Sequence, residues 1–197
     1  MHDLQAEFGQ IDIYLFDQIL RGRILPGMTI LDAGCGFGRN LVYFLNEGYN
    51  VLGVDADPGA IAAVRHLARS LPAANFRVEN LERMSFPDAC ADVVLSSAVL
   101  HFARDDAHFH AMLQGSWRTL RPGGLFFSRL ASSIGMERQI QQIEGRRHLL
   151  PDGSVRYLVD EPLLLDLTAR LGATLLDPLK TTVVQNQRSM TTWVLRK

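Results

Sequence analysis

Residues 28–39 read Met28-Thr-Ile-Leu-Asp-Ala-Gly-Cys-Gly-Phe-Gly-Arg39, so that an apolar strand pattern runs directly into a loop with glycine at every second position. Glycine adopts positive φ and has no Cβ, which lets a loop built on Gly34, Gly36 and Gly38 turn sharply beneath a bound molecule. A second apolar run, Val51-Leu-Gly-Val-Asp55, ends on a carboxylate that could hold a ribose. Together the two segments predict a site for a nucleoside-containing ligand.

Strand and helix patterns alternate along the chain on both sides of that loop. Strands are predicted at 29–33, 50–55, 75–79, 91–96 and 125–130, and helices at 39–46, 58–70, 108–120 and 161–171. This alternation predicts a parallel sheet covered by helices on both faces. Segments 175–185 and 189–196 alternate polar and apolar residues and predict an antiparallel pair at the edge of that sheet.

Two segments flank the alternating region of this chain, which at 197 residues is predicted to form a single domain over 1–197. Residues 1–27 carry apolar side chains at helical spacing over 4–20, which predicts a helical cap made of one helix or two short ones. Residues 131–160 are polar and rich in turn signals, and they are long for a connection. They therefore predict an insertion or lid on the substrate side.

Charge and composition exclude several classes of protein. The formal net charge of −1 offers no electrostatic footprint for nucleic acid or for an anionic membrane. Cys35 and Cys90 do not make a disulfide framework, and no Cys/His spacing suits a metal. Neither a signal peptide nor a long apolar run is visible, so we expect a cytoplasmic protein, monomeric or homodimeric, without metal, nucleic-acid or membrane partners.

The glycine loop, with Asp32 two residues ahead of Gly34, resembles the first motif of class I S-adenosylmethionine-dependent methyltransferases. Four further regions resemble that family in the same order: Asp55, residues 75–88, residues 91–101 and the turn at 120–125. The nearest resemblance is to small-molecule and tellurite-resistance-type methyltransferases. It implies a Rossmann-like three-layer α/β sandwich, with a seven-stranded, mostly parallel sheet whose last strand is antiparallel, and S-adenosyl-L-methionine as cofactor.

The same resemblance implies a set of cofactor contacts. Backbone around the glycine loop would pass under the methionine part, and Arg39 could pair with its carboxylate. Asp55 would accept both ribose hydroxyls, Asn80 would stand beside the adenine where many relatives have Asp, and the Ser96 carbonyl would accept from the cofactor's amino group. The full implied set is Asp32, Ala33, Gly34, Cys35, Gly36, Arg39, Asp55, Ala56, Asn80, Leu81 and Ser96.

Three further residues are candidates for the acceptor side. His101 follows the fourth strand at the carboxyl edge of the sheet, where ligands bind, and is the candidate catalytic residue. Many similar proteins carry a histidine here without using it as a base. Phe8 and Tyr14 belong to the predicted cap, and each either contacts the pocket or simply packs the helix.

A small-molecule acceptor is predicted for in-line methyl transfer. The fourth strand lacks both the Asn/Asp-Pro-Pro-aromatic sequence of amino-methylating nucleic-acid enzymes and the Pro-Cys pair of cytosine-C5 enzymes. Transfer from a reactive sulfonium needs positioning more than acid–base groups. Two alternatives stay open: a non-catalytic nucleoside-cofactor-binding protein of the same fold, and an NAD-dependent oxidoreductase, which Arg39-Asn40 disfavours by replacing the third glycine of a dinucleotide loop.

Overall fold

Five parallel strands form the centre of a mixed sheet, in a computed structural model that describes residues 3–197. Met1 and His2, the first residues of the predicted cap, lie outside the described residues. The parallel strands are β1 (Thr29–Ala33), β2 (Asn50–Asp55), β3 (Phe76–Val78), β4 (Ala91–Ser97) and β5 (Leu120–Ala131). The apolar run of the central strand β4 is buried on both faces, as a helix-covered parallel sheet requires.

The remaining strands complete the sheet and build a second, smaller one. They are β6 (Gln141–Glu144), β7 (Arg147–Leu149), β8 (Val155–Tyr157), β9 (Thr174–Leu175), β10 (Lys180–Val184) and β11 (Arg188–Arg196). β11 runs antiparallel to β5, and both β9 and β10 pair with β11. The main order is β10-β11-β5-β4-β1-β2-β3, which confirms the predicted fold class.

One predicted edge strand is divided in the structure. The pattern at 175–185 indicates a continuous strand, whereas the described chain forms β9 and β10 with Pro178 between them. Proline has no N–H to give to a ladder, so the strand is interrupted where it occurs. The three short strands β6, β7 and β8 form a separate antiparallel sheet inside the predicted 131–160 insertion.

The described residues form six α-helices. They are α1 (Leu4–Phe8), α2 (Ile13–Leu20), α3 (Val42–Asn46), α4 (Pro58–Leu67), α5 (Asp106–Thr119) and α6 (Glu161–Arg170). Five of them cover the faces of the main sheet, and α1 packs on α3. Each helix except α3 is preceded by an aspartate N-cap, whose side chain accepts a hydrogen bond from a backbone N–H of the first turn. The predicted cap is thus two short helices, and α3 starts three residues later than predicted because 39–41 form turns.

Two apolar clusters lie on opposite faces of the sheet and create the layers. Successive residues of a strand point to opposite faces, and Phe126 and Phe127 of β5 accordingly belong to different clusters. Helices α5 and α6 cover the Phe126 face, while α2, α3 and α4 cover the Phe127 face. The result is the predicted helix–sheet–helix arrangement.

The strand order places a crevice beside β1. From β1 the chain proceeds to β2 and β3 on one side, whereas β4 and β5 lie on the other. Loops leaving β1 and β4 therefore diverge at the carboxyl edge, and open α/β sheets bind ligands at such a switch point.

Candidate active site

The glycine loop lies flat against the ends of two neighbouring strands. The N–H groups of Gly34 and Cys35 both donate to the Val54 carbonyl, at 2.8 and 3.0 Å. Gly34 has φ 89°, and a Cβ there would lie 2.4 Å from Cγ2 of Val99. Only glycine permits both the left-handed backbone and this close approach, so the loop brings bare backbone to the crevice.

Asp55 closes this loop from the end of β2. Its Oδ2 accepts from the Gly36 N–H at 2.8 Å, and its Oδ1 accepts from the Asp57 N–H at 2.9 Å. Each carboxylate oxygen has acceptor capacity for a second donor. Asp55 can therefore hold the loop and still accept two hydroxyl groups from a ligand.

A cavity of about 630 Å³ opens above the loop. Eight of the implied cofactor residues line it: Gly34, Cys35, Gly36, Arg39, Asp55, Ala56, Asn80 and Leu81. Burial raises the pKa of the Cys35 thiol, which therefore stays protonated and lines the wall as a small apolar group. The structure thus gathers residues from three separate strand ends around one space.

Three of the implied residues lie beneath the wall instead of on it. Asp32, Ala33 and Ser96 are buried and do not line the cavity. The Ser96 carbonyl accepts from Oγ of Ser128 at 3.1 Å, so a side chain of the neighbouring strand already binds it. Ser97 and Ala98, which follow Ser96, reach the cavity in its place.

Asp32 is a buried carboxyl group under the loop. It is 2% exposed, and its Oδ1 has no hydrogen-bond partner among the described residues. Burial raises the pKa of Asp32 to about 8; the nearby Arg39 opposes this shift and Asp55 adds to it. Asp32 is therefore largely protonated at neutral pH.

A second cavity, of about 340 Å³, adjoins the first. Arg39, Ala98 and Phe102 line both cavities, while Arg156 of β8 and Leu150 bring the 131–160 insertion to the second one. Ala98 has φ 64°, a conformation that non-glycine residues rarely adopt and that often occurs at functional sites. A strained residue directly after β4 thus lies between two adjacent cavities.

His101 lines the second cavity and is 6% exposed. Its Nδ1 accepts from the Ala131 N–H at 3.2 Å, which leaves the ring proton on Nε2. Burial, with a smaller contribution from the Arg156 guanidinium, lowers the pKa of His101 to about 4. In this arrangement His101 is a neutral hydrogen-bond donor, since the lone pair a base would use is occupied.

Phe8 and Tyr14, the two cap residues proposed from the sequence, do not line either cavity. Phe8 packs against the rings of Phe16 and Tyr43 and lines a separate surface hollow. The Tyr14 hydroxyl and Oγ1 of Thr182 form a 2.6 Å hydrogen bond. Gln10, which lies between the two cap helices, lines the first cavity instead.

Asp12 is a functional candidate that sequence reasoning missed. Its Oδ1 caps α2, and its Oδ2 accepts from Nη1 of Arg129 at 3.1 Å and from Oγ of Ser97 at 3.4 Å. Nη2 of Arg39 lies 3.8 Å from the same oxygen. Asp12 therefore links residues of both cavities, although only its role as a helix cap has a local sequence signal.

Neither a metal cluster nor a membrane span is found in the described part of the chain. No group of three or more His, Cys, Asp and Glu side chains within 3–197 could hold a metal ion. No helix in that range is both long enough and apolar enough to cross a bilayer.

Comparison with known proteins matches the region that builds this site. The family described as methyltransferase domain matches residues 31–128. The malonyl-[acyl-carrier protein] O-methyltransferase of Serratia marcescens is 33% identical over 127 residues, which cover 63% of this chain and 48% of that protein. This chain spans about half the length of the curated relatives that it matches first.

Solved structures share the whole fold at low sequence identity. A methyltransferase from Methanosarcina mazei superposes with a TM-score of 0.71 at 22% identity, covering 91% of this chain and 96% of that one. The 1,6-didemethyltoxoflavin-N1-methyltransferase of Burkholderia thailandensis, solved with S-adenosylhomocysteine, also gives 0.71 at 22% identity, covering 99% and 81%. These structures share the fold, whereas the matched domain over residues 31–128 and the curated relatives show the family: the chain belongs to the class I S-adenosylmethionine-dependent methyltransferases.

Proposed function

We propose that this chain transfers a methyl group from S-adenosylmethionine to a small-molecule acceptor. The observation that carries the proposal is the pair of adjacent cavities at the switch point of the sheet. The first is floored by the glycine loop and Asp55, and the second adjoins it through Arg39, Ala98 and Phe102. Two similar proteins have names that give malonyl-[acyl-carrier protein] and 1,6-didemethyltoxoflavin as the molecules methylated.

The residues of the first cavity fit this cofactor. A Cβ at Gly36 would meet nothing within 4 Å, so the loop leaves open space directly above its backbone. Asp55 has acceptor capacity for two ribose hydroxyls, and Arg39 offers a guanidinium for the methionine carboxylate. Ala56, Asn80 and Leu81 would flank the adenine. For Asp32, Ala33 and Ser96, which lie beneath the wall, we propose a supporting part in the same site.

The reaction places modest demands on the protein's own groups. When bound, S-adenosylmethionine supplies a methyl group on a positively charged sulfonium. The chain's task is then to hold the acceptor in line and to exclude water. Phe102 and Ala98 line both spaces and are placed to do so, while His101 can donate a hydrogen bond from Nε2. The sequence makes His101 the candidate catalytic residue; because Nδ1 accepts from the Ala131 N–H, we propose that His101 orients the acceptor and does not act as a base.

The same geometry disfavours the nicotinamide alternative. A dinucleotide site sets its pyrophosphate against a helix that begins at the glycine loop. Here the loop is followed by turns, and α3 has five residues and no side-chain cap. Asn40, near the place of the third glycine, is 4% exposed, and its Oδ1 accepts from the Asp12 N–H at 3.0 Å.

Partners and organisation follow from the same proposal. We expect a single domain over 1–197, with the 1–27 cap and the 131–160 insertion on the acceptor side. A net charge of −1 supports a function without nucleic acid. We further expect a cytoplasmic protein that is a monomer or a homodimer. Analytical ultracentrifugation would measure the oligomeric state.

The test of cofactor binding is the substitution Asp55→Asn. Asparagine keeps the shape but loses the charge and one acceptor oxygen, so the Kd for S-adenosylhomocysteine should rise at least tenfold, as expected for charge-assisted hydrogen bonds of about 1.5–3 kcal/mol. Isothermal titration calorimetry measures this. Asp57→Asn is the matched control, because Asp57 caps α4 and does not line the cavity. Equal affinities of the wild type and Asp55→Asn would contradict the proposed site.

Turnover separates an enzyme from a non-catalytic binding protein. A screen with a labelled methyl group, run over classes of small acceptors, is expected to yield a methylated product that depends on Asp55. Tight S-adenosylhomocysteine binding without turnover on any acceptor would favour the binding-protein alternative.

A further inference from the structure

We propose that the acceptor is a small organic anion whose carboxylate or similar group is held by arginines of the second cavity. This inference rests on the proposed function, because it assigns the molecule that occupies the space next to the cofactor. It names the class of acceptor, which neither the family motifs nor the fold determines.

The charge of the second cavity carries the proposal. Its wall includes four arginines, Arg39, Arg129, Arg156 and Arg188, and a single carboxylate, Asp152. Even with the buried Asp12 behind Arg129 included, positive groups exceed negative ones. The whole chain, in contrast, has a formal net charge of −1. Positive charge is thus concentrated in one concave space, which favours an anionic occupant.

These guanidinium groups keep donors free for a ligand. Arg129 gives Nη1 to Asp12, and its Nε is buried away from the cavity, so the donors it keeps for a ligand are those of Nη2. Arg156 gives Nη1 to the Val155 carbonyl, and its Cζ lies 4.8 Å from the centre of the Phe102 ring. These contacts orient each side chain and leave further N–H groups of its fork unused. Guanidinium forks bind carboxylates well because two parallel N–H groups match the two oxygens.

Arg39 is best assigned to the cofactor, so the acceptor has its own arginines. Arg39 lines both cavities, and its Nη2 donates to Oγ of Ser97 at 3.0 Å, beside the glycine loop. Arg129, Arg156 and Arg188 line the second cavity and are absent from the first. With a cofactor carboxylate at Arg39, these three arginines would have only Asp152 and the buried Asp12 as negative neighbours, so positive charge would still be in excess.

The rest of the second cavity is apolar and small. Leu150, Val184, Met190, Ala131 and Phe102 contribute to its wall. A volume of about 340 Å³ is at the low end for ligand sites and suits a single ring or a short chain. His101 adds a neutral donor, Nε2–H. The space therefore suits a compact apolar body with one anionic group.

The main competing occupant is a cationic amine, which would bind the carboxylate of Asp152. Oδ1 of Asp152 accepts from the N–H and Oγ of Ser154, and Arg156 and Arg188 lie near enough to lower its pKa further. The carboxylate is already partnered by these groups. A cationic amine would have to compete with the arginines for it.

The experiment compares matched probes on the protein saturated with S-adenosylhomocysteine. The probes are benzoate and hexanoate, their neutral primary amides, and benzylamine, in Tris chloride because sulfonate and phosphate buffers would compete. Ligand-observed NMR titration gives each Kd. We expect each acid to bind at least tenfold more tightly than its amide, and acid binding to weaken as chloride is raised.

Variants locate the binding. Arg156→Gln and the exposed Arg188→Gln should each weaken acid binding, Arg156→Gln at least tenfold, while the Kd values for the amides and for S-adenosylhomocysteine stay within twofold. Arg170→Gln, on the exposed surface of α6, is the control and should leave every Kd unchanged. Because Arg188 is exposed, its replacement keeps the test valid if Arg156→Gln does not fold.

Three results would overturn the proposal: acids and amides binding equally, benzylamine binding best, or acid binding that disappears once S-adenosylhomocysteine saturates the protein. The last result would place the acid at Arg39, in the cofactor cavity. Failure of S-adenosylhomocysteine to bind the wild type would contradict the proposed function instead. The acid–amide comparison on the free protein would then still decide whether the arginines form an anion site.

Discussion

Two buried ionisable side chains lie on either side of the β1–β4 crevice, and burial keeps both uncharged. Asp32 lies under the glycine loop with its pKa raised to about 8, and His101 lines the second cavity with its pKa lowered to about 4. Desolvation penalises the charged form of either group. Near neutral pH the crevice therefore has a largely protonated acid and a neutral imidazole, and neither group offsets the positive charge of the arginines.

The raised pKa of Asp32 makes stability depend on pH. The folded protein holds the proton up to about pH 8, whereas the unfolded chain releases it near the ordinary value of 3.8. The stabilising contribution is thus complete below about pH 4 and is lost as pH rises toward 8. The free energy of unfolding falls across this window with a slope of at most about 1.4 kcal/mol per pH unit.

Asp32→Asn removes this titration, since the amide has no proton to lose in that range. The stability of the variant relative to the wild type should increase steadily from pH 5 to pH 8 in urea denaturation. Asp166→Asn, on the exposed face of α6, is the control and should shift stability equally at all pH values. A constant difference between Asp32→Asn and the wild type would show that Asp32 is already ionised when folded.

At the scale of elements, one helix sets the position of the predicted adenine wall. The turn Leu81–Arg83 lies against α5, and the contact depends on Gly115. A Cβ at Gly115 would lie 2.0 Å from the Leu81 carbonyl oxygen. Helix and turn therefore touch backbone to backbone, and this contact places Asn80 and Leu81 at the first cavity.

Gly115→Ala should destabilise the protein although alanine favours helices. Intrinsic propensity favours the substitution by about 1 kcal/mol, but the collision with a backbone carbonyl must be relieved by moving the turn, at a cost of about 1–3 kcal/mol or more. Because the turn carries Asn80 and Leu81, the Kd for S-adenosylhomocysteine should also rise. Thermal unfolding and calorimetry measure the two effects.

Gly59→Ala in α4 is the matched control. Its Cβ would meet only the Asp57 carboxylate, whose Oδ1 at 3.2 Å needs to shift by only a few tenths of an ångström and can keep its bond to the Gly59 N–H. Stability within about 0.5–1 kcal/mol of the wild type and an unchanged Kd are expected. If Gly115→Ala behaved like Gly59→Ala, the close contact between α5 and the turn would not limit the site.

At the scale of the whole molecule, Asp12 joins the cap to both cavities. Its side chain is 1% exposed and is in contact with Arg129, Ser97 and the first turn of α2. These groups come from the cap, β4 and β5, which are distant in sequence. A buried charge with several partners is costly to remove singly, because the remaining charge stays buried without compensation.

Asp12→Asn should therefore cost about 3–5 kcal/mol in the free energy of unfolding, as expected for breaking a buried ion pair. It should also lower kcat, since Arg129 and Ser97 lose a shared acceptor. Asp166→Asn breaks an exposed pair with Arg170 and should cost less than about 1 kcal/mol. Similar costs for the two variants, measured by urea denaturation, would contradict the role assigned to Asp12.

Much of the fold and the first cavity could be predicted because their signals are local. The predicted bounds of β1 and β2 match the structure, since each strand is a short apolar run ended by glycine or aspartate. Eight implied cofactor residues line one cavity because the carboxyl ends of parallel strands meet at one edge. The exposed strand β6, in contrast, carries no alternation of buried and exposed residues and gave no periodic signal.

The amino-acid sequence by itself determined the order of strands and helices, the glycine loop and Asp55, because backbone freedom and apolar periodicity act over a few neighbouring residues. Only the tertiary structure decided which side chains line the second cavity, the proposed acceptor site. Arg129, Arg156 and Arg188 come from β5, β8 and β11, and each alone looks like an ordinary surface arginine. Their positive charges add up at one place only because the sheet and the insertion bring the three side chains to one concave space.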